Sequence, residues 1–316
     1  PTYLTPKQLE ELLGVLAQHF HLALPKTLEL GIEVDPRSVD KDIIAEIIEL
    51  GFNRVSIGVQ DFDPEVQATI NRVQSKERAI SVIESVRRNG VKSVSLDLIY
   101  GLPKQTINSF QRTIDDVIAI RPARIALYHY AHLPQQINSQ RLIDESTLPS
   151  SGDKIAMFSD TVCRLIEAGY IYIGMDHFAL PEDSLAKALS TGGLQRNFQG
   201  YSTHAQCDII GLGVSAISNV NHSYCQNTKS ISVYKQMLGK KQLPIEKGVA
   251  LTDDDRVRAD IIQSLMCDGV VDYERLGEQY YIKFVQYFGD QLTSLKSLAK
   301  DDFIRFSESG FEVTER

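Results

Sequence analysis

Four short runs rich in β-branched residues alternate with longer amphipathic segments, and this alternation limits the fold more than any other feature of the chain. The runs are Leu28 to Asp35, Arg54 to Asp61, Ser93 to Gly101 and Arg124 to Tyr130. Runs of this length, bounded by turn residues, are typical of buried parallel strands. The segments between them have helical periodicity, so the pattern predicts right-handed βα units and an α/β fold.

Each predicted strand becomes polar at its carboxyl end, where Glu33, Gln60, Asp97 and His129 stand. In α/β sheets and barrels, ligands bind at this end of the strands. Four strands make a poor barrel, because an open sheet leaves an edge unpaired. We therefore expect a partial barrel whose further strands precede Pro1, with a ligand site at the carboxyl ends of its strands.

The pattern changes twice beyond the fourth run. From about Tyr130 to Lys247 it loosens into glycine-rich loops and short elements, which we expect to cover the active end of the barrel. From Leu251 it is helical again, and residues 303–314 alternate around a Ser-Gly pair like a hairpin. The sequence predicts two parts: residues 1–250, the barrel remainder with its covering loops, and residues 251–316, a truncated helical domain ending in a hairpin.

Charge and hydropathy exclude several classes of protein. The net charge is −8 and no dense Lys/Arg run occurs, so the sequence lacks the features of nucleic-acid binding and of binding to anionic membranes. Residues 251–316 hold 14 acidic and 8 basic side chains, which argues against a winged-helix DNA-binding regulator. No apolar run reaches the length of about 18 residues that a membrane span needs, and the first residues of the sequence lack the charged-then-apolar pattern of a secretory signal. We expect a cytoplasmic protein, monomeric, with no nucleic-acid or membrane partner.

The four cysteines are scattered along the chain. Cys163, Cys207, Cys225 and Cys267 stand 44, 18 and 42 residues apart, which fits neither a metal motif nor a small disulfide framework. We interpret them as reduced, structural cysteines and expect no metal site in this chain. The chain begins with Pro1 rather than Met, and we interpret it as a piece of a longer protein.

Two acids interrupt apolar runs. Glu33 lies in Gly-Ile-Glu-Val-Asp-Pro, and Asp97 lies in Ser-Leu-Asp-Leu-Ile-Tyr. Burial of an unpaired carboxylate is costly, so each acid either has a structural partner or faces a ligand. Acids at neighbouring strand ends suit the hydroxyls of a ribose or an amino group, and we favour a ligand for both.

Three further side chains have both a structural and a functional interpretation. Gln60 closes its strand and is either a cap or a ligand contact. Arg72 lies in a stretch that we interpret as helical, where a solvated face is the default, although a guanidinium can bind a carboxylate. His177 follows Asp176 in a predicted loop and is the best histidine candidate, although a lone loop histidine is more often structural.

Six segments spread over nearly the whole chain match the motifs of one enzyme family. They are Ile-Glu-Val-Asp-Pro-Arg (32–37), Gly-Val-Gln-Asp-Phe (58–62), Asp-Leu-Ile-Tyr-Gly-Leu-Pro-Lys-Gln (97–105), Tyr-Ala-His-Leu-Pro (130–134), Gly-Met-Asp-His-Phe-Ala (174–179) and Arg-Asn-Phe-Gln-Gly-Tyr (196–201). Together they resemble the oxygen-independent coproporphyrinogen III oxidases. In that family a barrel of six βα units binds a 4Fe–4S cluster and two S-adenosylmethionine molecules, and a small helical domain follows. The resemblance implies a partial radical-SAM barrel.

The resemblance also implies two groups of cofactor-binding residues. Glu33 would contact the first S-adenosylmethionine, with Ile217 against its adenine. The residues implied for the second molecule are Gln60, Arg72, Asp97 and Ala131. Arg72 would pair its guanidinium with the methionine carboxylate.

The implied reaction is the oxidative decarboxylation of coproporphyrinogen III to protoporphyrinogen IX in anaerobic haem biosynthesis. In the family, the cluster reduces S-adenosylmethionine to a 5′-deoxyadenosyl radical, which takes hydrogen from a propionate. Loss of CO2 and one electron then leaves a vinyl group, so an electron donor and an electron acceptor are needed. The protein orients the substrate and protects the radical. Gln199 would lie near the reacting atoms, and Arg196 with His177 are our candidates for binding the propionates.

One departure from the family concerns its cysteine motif, Cys-x3-Cys-x2-Cys-x-Cys, which has no counterpart in this chain. We expect that motif and two strands of the barrel upstream of Pro1. We therefore expect the chain by itself to be inactive, and the reaction to belong to the intact protein.

The alternative function is that of a haem chaperone of the same superfamily, which shares the barrel but binds haem. Such chaperones typically show Ser-Asn-Phe-Ala and a Tyr-Trp pair in the corresponding regions. This chain instead has Asp-His-Phe-Ala at 176–179 and Phe-Gln-Gly-Tyr at 198–201, and it contains no Trp. These differences favour the oxidase.

Overall fold

A six-stranded mixed sheet forms the centre of the first of two compact units, Pro1–Lys187 and Ala188–Arg316. The computed structural model describes residues 3–22, 28–91, 93–204 and 207–314. The strands of this sheet are β1 Gly31–Val34, β2 Arg54–Gln60, β3 Ser93–Tyr100, β4 Arg124–His129, β5 Ile171–Gly174 and β6 His177–Ala179. Their order is β1-β2-β3-β4-β6-β5, with β1 to β4 parallel and with β6 antiparallel to both β4 and β5. The four predicted strands are thus confirmed.

Helices precede, connect and follow these strands in the predicted alternation. They are α1 Pro6–Phe20, α2 Lys41–Glu49, α3 Pro64–Thr69, α4 Lys76–Arg88, α5 Ile107–Ile120, α6 Ser151–Glu167 and α7 Ser184–Thr191, with short 3-10 turns at Asn138–Leu142 and Glu145–Thr147. The 17 residues of α6 lie where the sequence analysis predicted only loops and short elements, so that prediction was wrong there. The sequence did contain a sign of this helix, because Ser150 and Asp153 are spaced as a capping box and form one at its start.

One face of the sheet carries the core. Fully buried side chains from β2, β3 and β4 include Ile57, Leu96, Leu98, Ile125 and Leu127. They pack in one cluster with apolar residues of α2, α4 and α5, and each buried aliphatic side chain stabilises the fold by about 1.5 to 3 kcal/mol. The intervening residues of β2 and β3 are only partly buried, so these strands alternate. The alternation arises because Ser, Gly, Gln and Asp occupy most of these intervening positions, with Arg54 and Ile99 at the others.

The second unit consists of small sheets and a helical segment. Its first elements are β7 Gln195–Asn197, β8 Gly200–Ser202, β9 Ile217–Val220, β10 Ser223–Asn227, α8 Ile231–Gly239 and β11 Ile245–Ala250. The following elements are α9 Asp253–Cys267, β12 Val270–Asp272, α10 Tyr273–Tyr280, α11 Phe284–Tyr287, α12 Gly289–Lys300, β13 Ile304–Phe306 and β14 Gly310–Val313. β13 and β14 form the predicted hairpin, to which β12 adds a third strand. The domain boundary expected after residue 250 falls inside this unit and stays a proposal.

The four cysteines are all free. Cys267 has the burial expected of a structural cysteine, and Cys225 is half-buried, whereas Cys163 and Cys207 are exposed, contrary to that expectation. Within the described ranges, no helix has the length and apolar character needed to cross a membrane.

Candidate functional site

Polar residues occupy the sheet face opposite the helices, near the carboxyl ends of β1, β2 and β3. The parallel register places Glu33 beside Ser56 and Gly58 beside Asp97. Ser56 Oγ donates a hydrogen bond to Asp97 Oδ1 over 2.9 Å. Glu33, Gln60 and Asp97 therefore lie in the carboxyl-terminal halves of three neighbouring parallel strands, toward the end of the sheet that the sequence analysis expected.

Asp97 has an unusual protonation equilibrium. Burial raises its pKa to about 6; the hydrogen bond from Ser56 opposes this rise, and the charge of Glu33 adds to it. The charges of His177 and Arg72 lower the pKa by smaller amounts. A carboxyl group with this pKa is partly protonated near neutral pH, so it can both donate and accept hydrogen bonds. It suits a ligand with an amino group or hydroxyls.

The end of β2 is distorted around Gln60. The pairing with β3 shifts between Gly58 and Gln60, and Gln60 has a φ of 67°, in the left-handed region. A Cβ at position 58 would lie 2.9 Å from Gln60 Nε2 and 2.9 Å from Arg72 Nη2. Because Gly58 has no side chain, the amide of Gln60 and the guanidinium of Arg72 can both lie over this position of β2.

Arg72 lies in the loop between α3 and α4, so its predicted helical setting was wrong. α3 ends at Thr69, and Asn71, with a φ of 52°, turns the chain away from the helical path. Arg72 Nη2 donates to the Gly58 carbonyl over 3.0 Å and lies 3.5 Å from Asp35 Oδ2. Burial lowers the pKa of Arg72, and the charge of Asp35 opposes this.

The Nε atom of Arg72 is buried and has no hydrogen-bond partner among the residues that the structure describes. Buried donors without a partner are rare in folded proteins and costly. The Nε–H group of Arg72 could therefore donate a hydrogen bond to a bound carboxylate.

The sequence analysis expected His177 to lie in a loop, but this residue begins the short strand β6. The register runs from Asp97 through Ala126 on β4 to His177, which places His177 in the same row across the sheet. His177 Nδ1 lies 2.6 Å from Asp176 Oδ1, and its ring meets that of Tyr128 edge-on at 6.1 Å. The carboxylate and the aromatic ring together orient the imidazole.

Ala131 lies just beyond β4, close to the carboxyl end of that strand. It is exposed, and its carbonyl accepts a hydrogen bond from Gln140 Nε2 over 3.0 Å. This contact holds the backbone of Ala131 within the loop that follows the sheet.

Three predicted site residues belong to the second unit. Ile217 begins β9 and is half-buried. Gln199 is exposed at the turn between β7 and β8, where its N–H donates to Asn197 Oδ1 over 2.8 Å. Arg196 on β7 holds its guanidinium carbon 4.8 Å from the centre of the Tyr201 ring. One hairpin therefore carries Arg196 and Gln199, while Ile217 stands on a different sheet.

Ser56 and Gly58 lie beside the candidate site residues, and the sequence analysis did not single them out. Their signal is the two-residue period of β2, which places both on the face that Gln60 terminates. Because Ser56 and Gly58 precede Gln60 by four and two residues, the strand period alone could have identified them.

Comparisons with known proteins agree on one family. A family model described as the radical SAM superfamily matches residues 1–117. The chain is similar to the oxygen-independent coproporphyrinogen III oxidase of Pseudomonas aeruginosa, with 47% identity over 99% of this chain and 68% of that protein. The corresponding protein of Escherichia coli is 42% identical over 100% of this chain and 69% of its own length. That of Thermostichus vulcanus is 41% identical over 92% of this chain and 90% of its own length.

A solved structure is similar over the same extent. It is coproporphyrinogen III oxidase from Escherichia coli, described as a radical SAM enzyme, with a TM-score of 0.96 and 41% identity. The match covers 99% of this chain and 72% of that one.

Proposed function

Because this chain belongs to the family of oxygen-independent coproporphyrinogen III oxidases, radical S-adenosylmethionine enzymes of α/β fold, we propose that it serves the oxidative decarboxylation of coproporphyrinogen III to protoporphyrinogen IX. The observation that carries the proposal is similarity in both sequence and fold over nearly the whole chain. The family uses S-adenosylmethionine and a 4Fe–4S cluster. The binding of two S-adenosylmethionine molecules is part of our proposal.

The side chains at the carboxyl ends of β1 to β3 fit S-adenosylmethionine. We assign Glu33, with Ile217, to one molecule. The residues assigned to the other are Gln60, Arg72, Asp97 and Ala131. The unpartnered Nε of Arg72 among the described residues supports a carboxylate ligand, and the raised pKa of Asp97 supports a ligand with an amino group or hydroxyls.

When bound, S-adenosylmethionine supplies the radical chemistry that takes a hydrogen atom from a substrate propionate. The side chains of this chain bind and orient. Gln60 can donate and accept hydrogen bonds without changing its charge, and Arg72 can hold a carboxylate through its planar fork. Positioning of this kind is the contribution that a protein makes to chemistry carried by a cofactor.

The described residues do not present a site for the cluster. Among them, no group of three or more His, Cys, Asp or Glu side chains could hold a metal ion. The four cysteines are free and distributed over both units. No role in cluster binding is therefore assigned to any of them.

The substrate is a tetrapyrrole that carries propionates. We assign propionate binding to His177 and Arg196, and a place near the reacting atoms to Gln199. The orientation of His177 by Asp176 supports its assignment. We further propose an electron donor and an electron acceptor, because the reaction needs both, and we keep the expectation of a monomeric cytoplasmic enzyme.

The test uses full-length protein with its cluster reconstituted under anaerobic conditions. It is supplied with coproporphyrinogen III, S-adenosylmethionine and a reductant, and protoporphyrin is quantified by fluorescence after oxidation. We expect product that depends on S-adenosylmethionine, a loss of about tenfold or more in turnover for Glu33→Gln, and a change within about twofold for Glu84→Gln, an exposed acid on α4. Tight haem binding without conversion would support the chaperone instead.

A further inference from the structure

A cleft of about 390 Å³ lies at the carboxyl ends of β3 and β4, beside α6. It is lined by Tyr100, His129, Ser151, Lys154, Ile155 and Phe158. The first two are register partners at the ends of their strands, and the other four lie near the start of α6. The roles proposed above involve none of these side chains.

Lys154 is the cation of this cleft. Its stem lies over Gly101, where a Cβ would approach Lys154 Cε to 3.3 Å and Lys154 Cδ to 3.5 Å. Gly101 also has a φ of 83°, so both its space and its backbone conformation favour glycine. Lys154 is half-buried, and no carboxylate within the described part of the chain forms an ion pair with its ammonium group.

The rest of the cleft is aromatic and uncharged. The ring of Tyr100 lies 5.2 Å from that of His129 and 5.5 Å from that of Phe158. Burial lowers the pKa of His129 and the nearby charge of Lys154 lowers it further, and both effects favour the neutral imidazole. One cation, one neutral hydrogen-bonding ring and apolar walls suit a carboxylate carried by an apolar body.

We propose that this cleft binds a propionate of the tetrapyrrole, one remote from the reacting carbon, and that Lys154 forms the ion pair. The inference rests on the proposed function. Asp97 stands three residues before Tyr100 on β3, about 10 Å along the strand, and this odd spacing places the two side chains on opposite faces of the sheet. A macrocycle that lies across the carboxyl ends of the strands can present one carboxylate of its rim to Lys154 on one face while another part reaches toward Asp97 on the other. The methionine carboxylate of S-adenosylmethionine has the same chemistry, and the experiment separates the two.

Binding without turnover tests the cleft directly. Coproporphyrin III and its tetramethyl ester, which has no anionic carboxylate, are titrated into full-length protein and followed by fluorescence. For Lys154→Gln we expect the Kd of coproporphyrin III to rise about 5-fold to 30-fold, and that of the ester to stay within about twofold. Lys154→Arg should retain most of the affinity, and S-adenosylmethionine binding should not change.

Two variants control the experiment. Lys296→Gln removes the same charge from an exposed position on α12 and should leave both porphyrin affinities unchanged. His129→Gln tests the cleft independently and should weaken binding of coproporphyrin III more than that of the ester. Folding of each variant is checked by thermal unfolding.

Three outcomes are informative. Equal affinity of Lys154→Gln and the parent for coproporphyrin III overturns the proposal. Loss of S-adenosylmethionine affinity with unchanged porphyrin binding assigns the cleft to the cofactor and also overturns it. If the parent protein binds coproporphyrin III through Lys154 but does not convert coproporphyrinogen III, the cleft stands and the proposed function fails.

Discussion

Gln105 donates a buried hydrogen bond from Nε2 to Asp61 Oδ2 over 2.5 Å, which ties the segment after β3 to the end of β2. The same nitrogen donates to the Ile99 carbonyl over 3.0 Å. Its Oε1 accepts the N–H groups of Gly101 and Leu102 at 2.6 and 3.1 Å. One side chain therefore satisfies four groups and holds the loop at the carboxyl ends of two strands, where the candidate site lies.

We predict that Gln105→Ala lowers the free energy of unfolding by about 2 to 4 kcal/mol, because it leaves a buried carboxyl and two backbone N–H groups short of partners. Urea denaturation measures the change. Gln291→Ala, at an exposed position on α12, is the matched control and should change the free energy by less than about 0.5 kcal/mol. An equally small effect for Gln105→Ala would show that water replaces the lost contacts.

Asp97 should make stability depend on pH. Its pKa in the folded state, about 6, lies above the ordinary value, so the folded state binds the proton more tightly than the unfolded state does. The stabilisation is full below about pH 4 and is lost as the pH rises through about 6. Asp97→Asn should therefore raise the free energy of unfolding relative to the parent at pH 7.5, by about 1 to 2 kcal/mol after allowance for solvent screening.

The measurement is urea denaturation of Asp97→Asn and the parent between pH 4 and pH 8. Asp290→Asn, at an exposed position on α12, provides the control for loss of one carboxylate. A difference between Asp97→Asn and the parent that does not grow with pH would contradict the prediction. The same variant should bind S-adenosylmethionine more weakly, which would separate a gain in stability from a loss of function.

Arg72→Ala should weaken S-adenosylmethionine binding roughly 30-fold to 1000-fold, as expected for loss of a partly desolvated bidentate pair. Arg72→Lys should recover only part of the affinity, because an ammonium group lacks the planar fork. Isothermal titration of full-length protein gives both values. Arg88→Ala, whose guanidinium is exposed on α4, should behave like the parent. An affinity within about twofold of the parent for Arg72→Ala would rule out the cofactor role.

Gly58→Ala tests the meeting of Gln60 and Arg72 above β2. The new Cβ would lie 2.9 Å from the ends of both side chains, which can move aside, so folding should survive while the two groups are displaced. We expect S-adenosylmethionine affinity to fall by about tenfold. Gly14→Ala, within α1 and with nothing within 4 Å of its Cβ, should instead stabilise the protein by about 0.5 to 1 kcal/mol. Unchanged S-adenosylmethionine affinity in Gly58→Ala would show that the close approach of Gln60 and Arg72 over Gly58 is not part of the site.

The placement of several candidate site residues could be predicted from local pattern alone. Glu33, Gln60 and Asp97 lie toward one end of the sheet because parallel strands bring their carboxyl ends to the same edge, and strand period together with polarity was enough to predict this placement. The family motifs added Ile217 and Ala131, for which periodicity gives no signal. The position of Arg72 in a loop could not be predicted in this way, because it depends on where α3 ends and on the left-handed turn at Asn71.

The sequence by itself determined the parallel βα order and the carboxyl-end placement of the acids, because both follow from contacts and periods within a few residues. The tertiary structure decided the pKa of Asp97, the unpartnered Nε of Arg72 and the position of Lys154 over Gly101. Burial and charge at these atoms come from groups distant in the chain, such as α6 against β3. Such quantities exist only once the chain has brought those groups together.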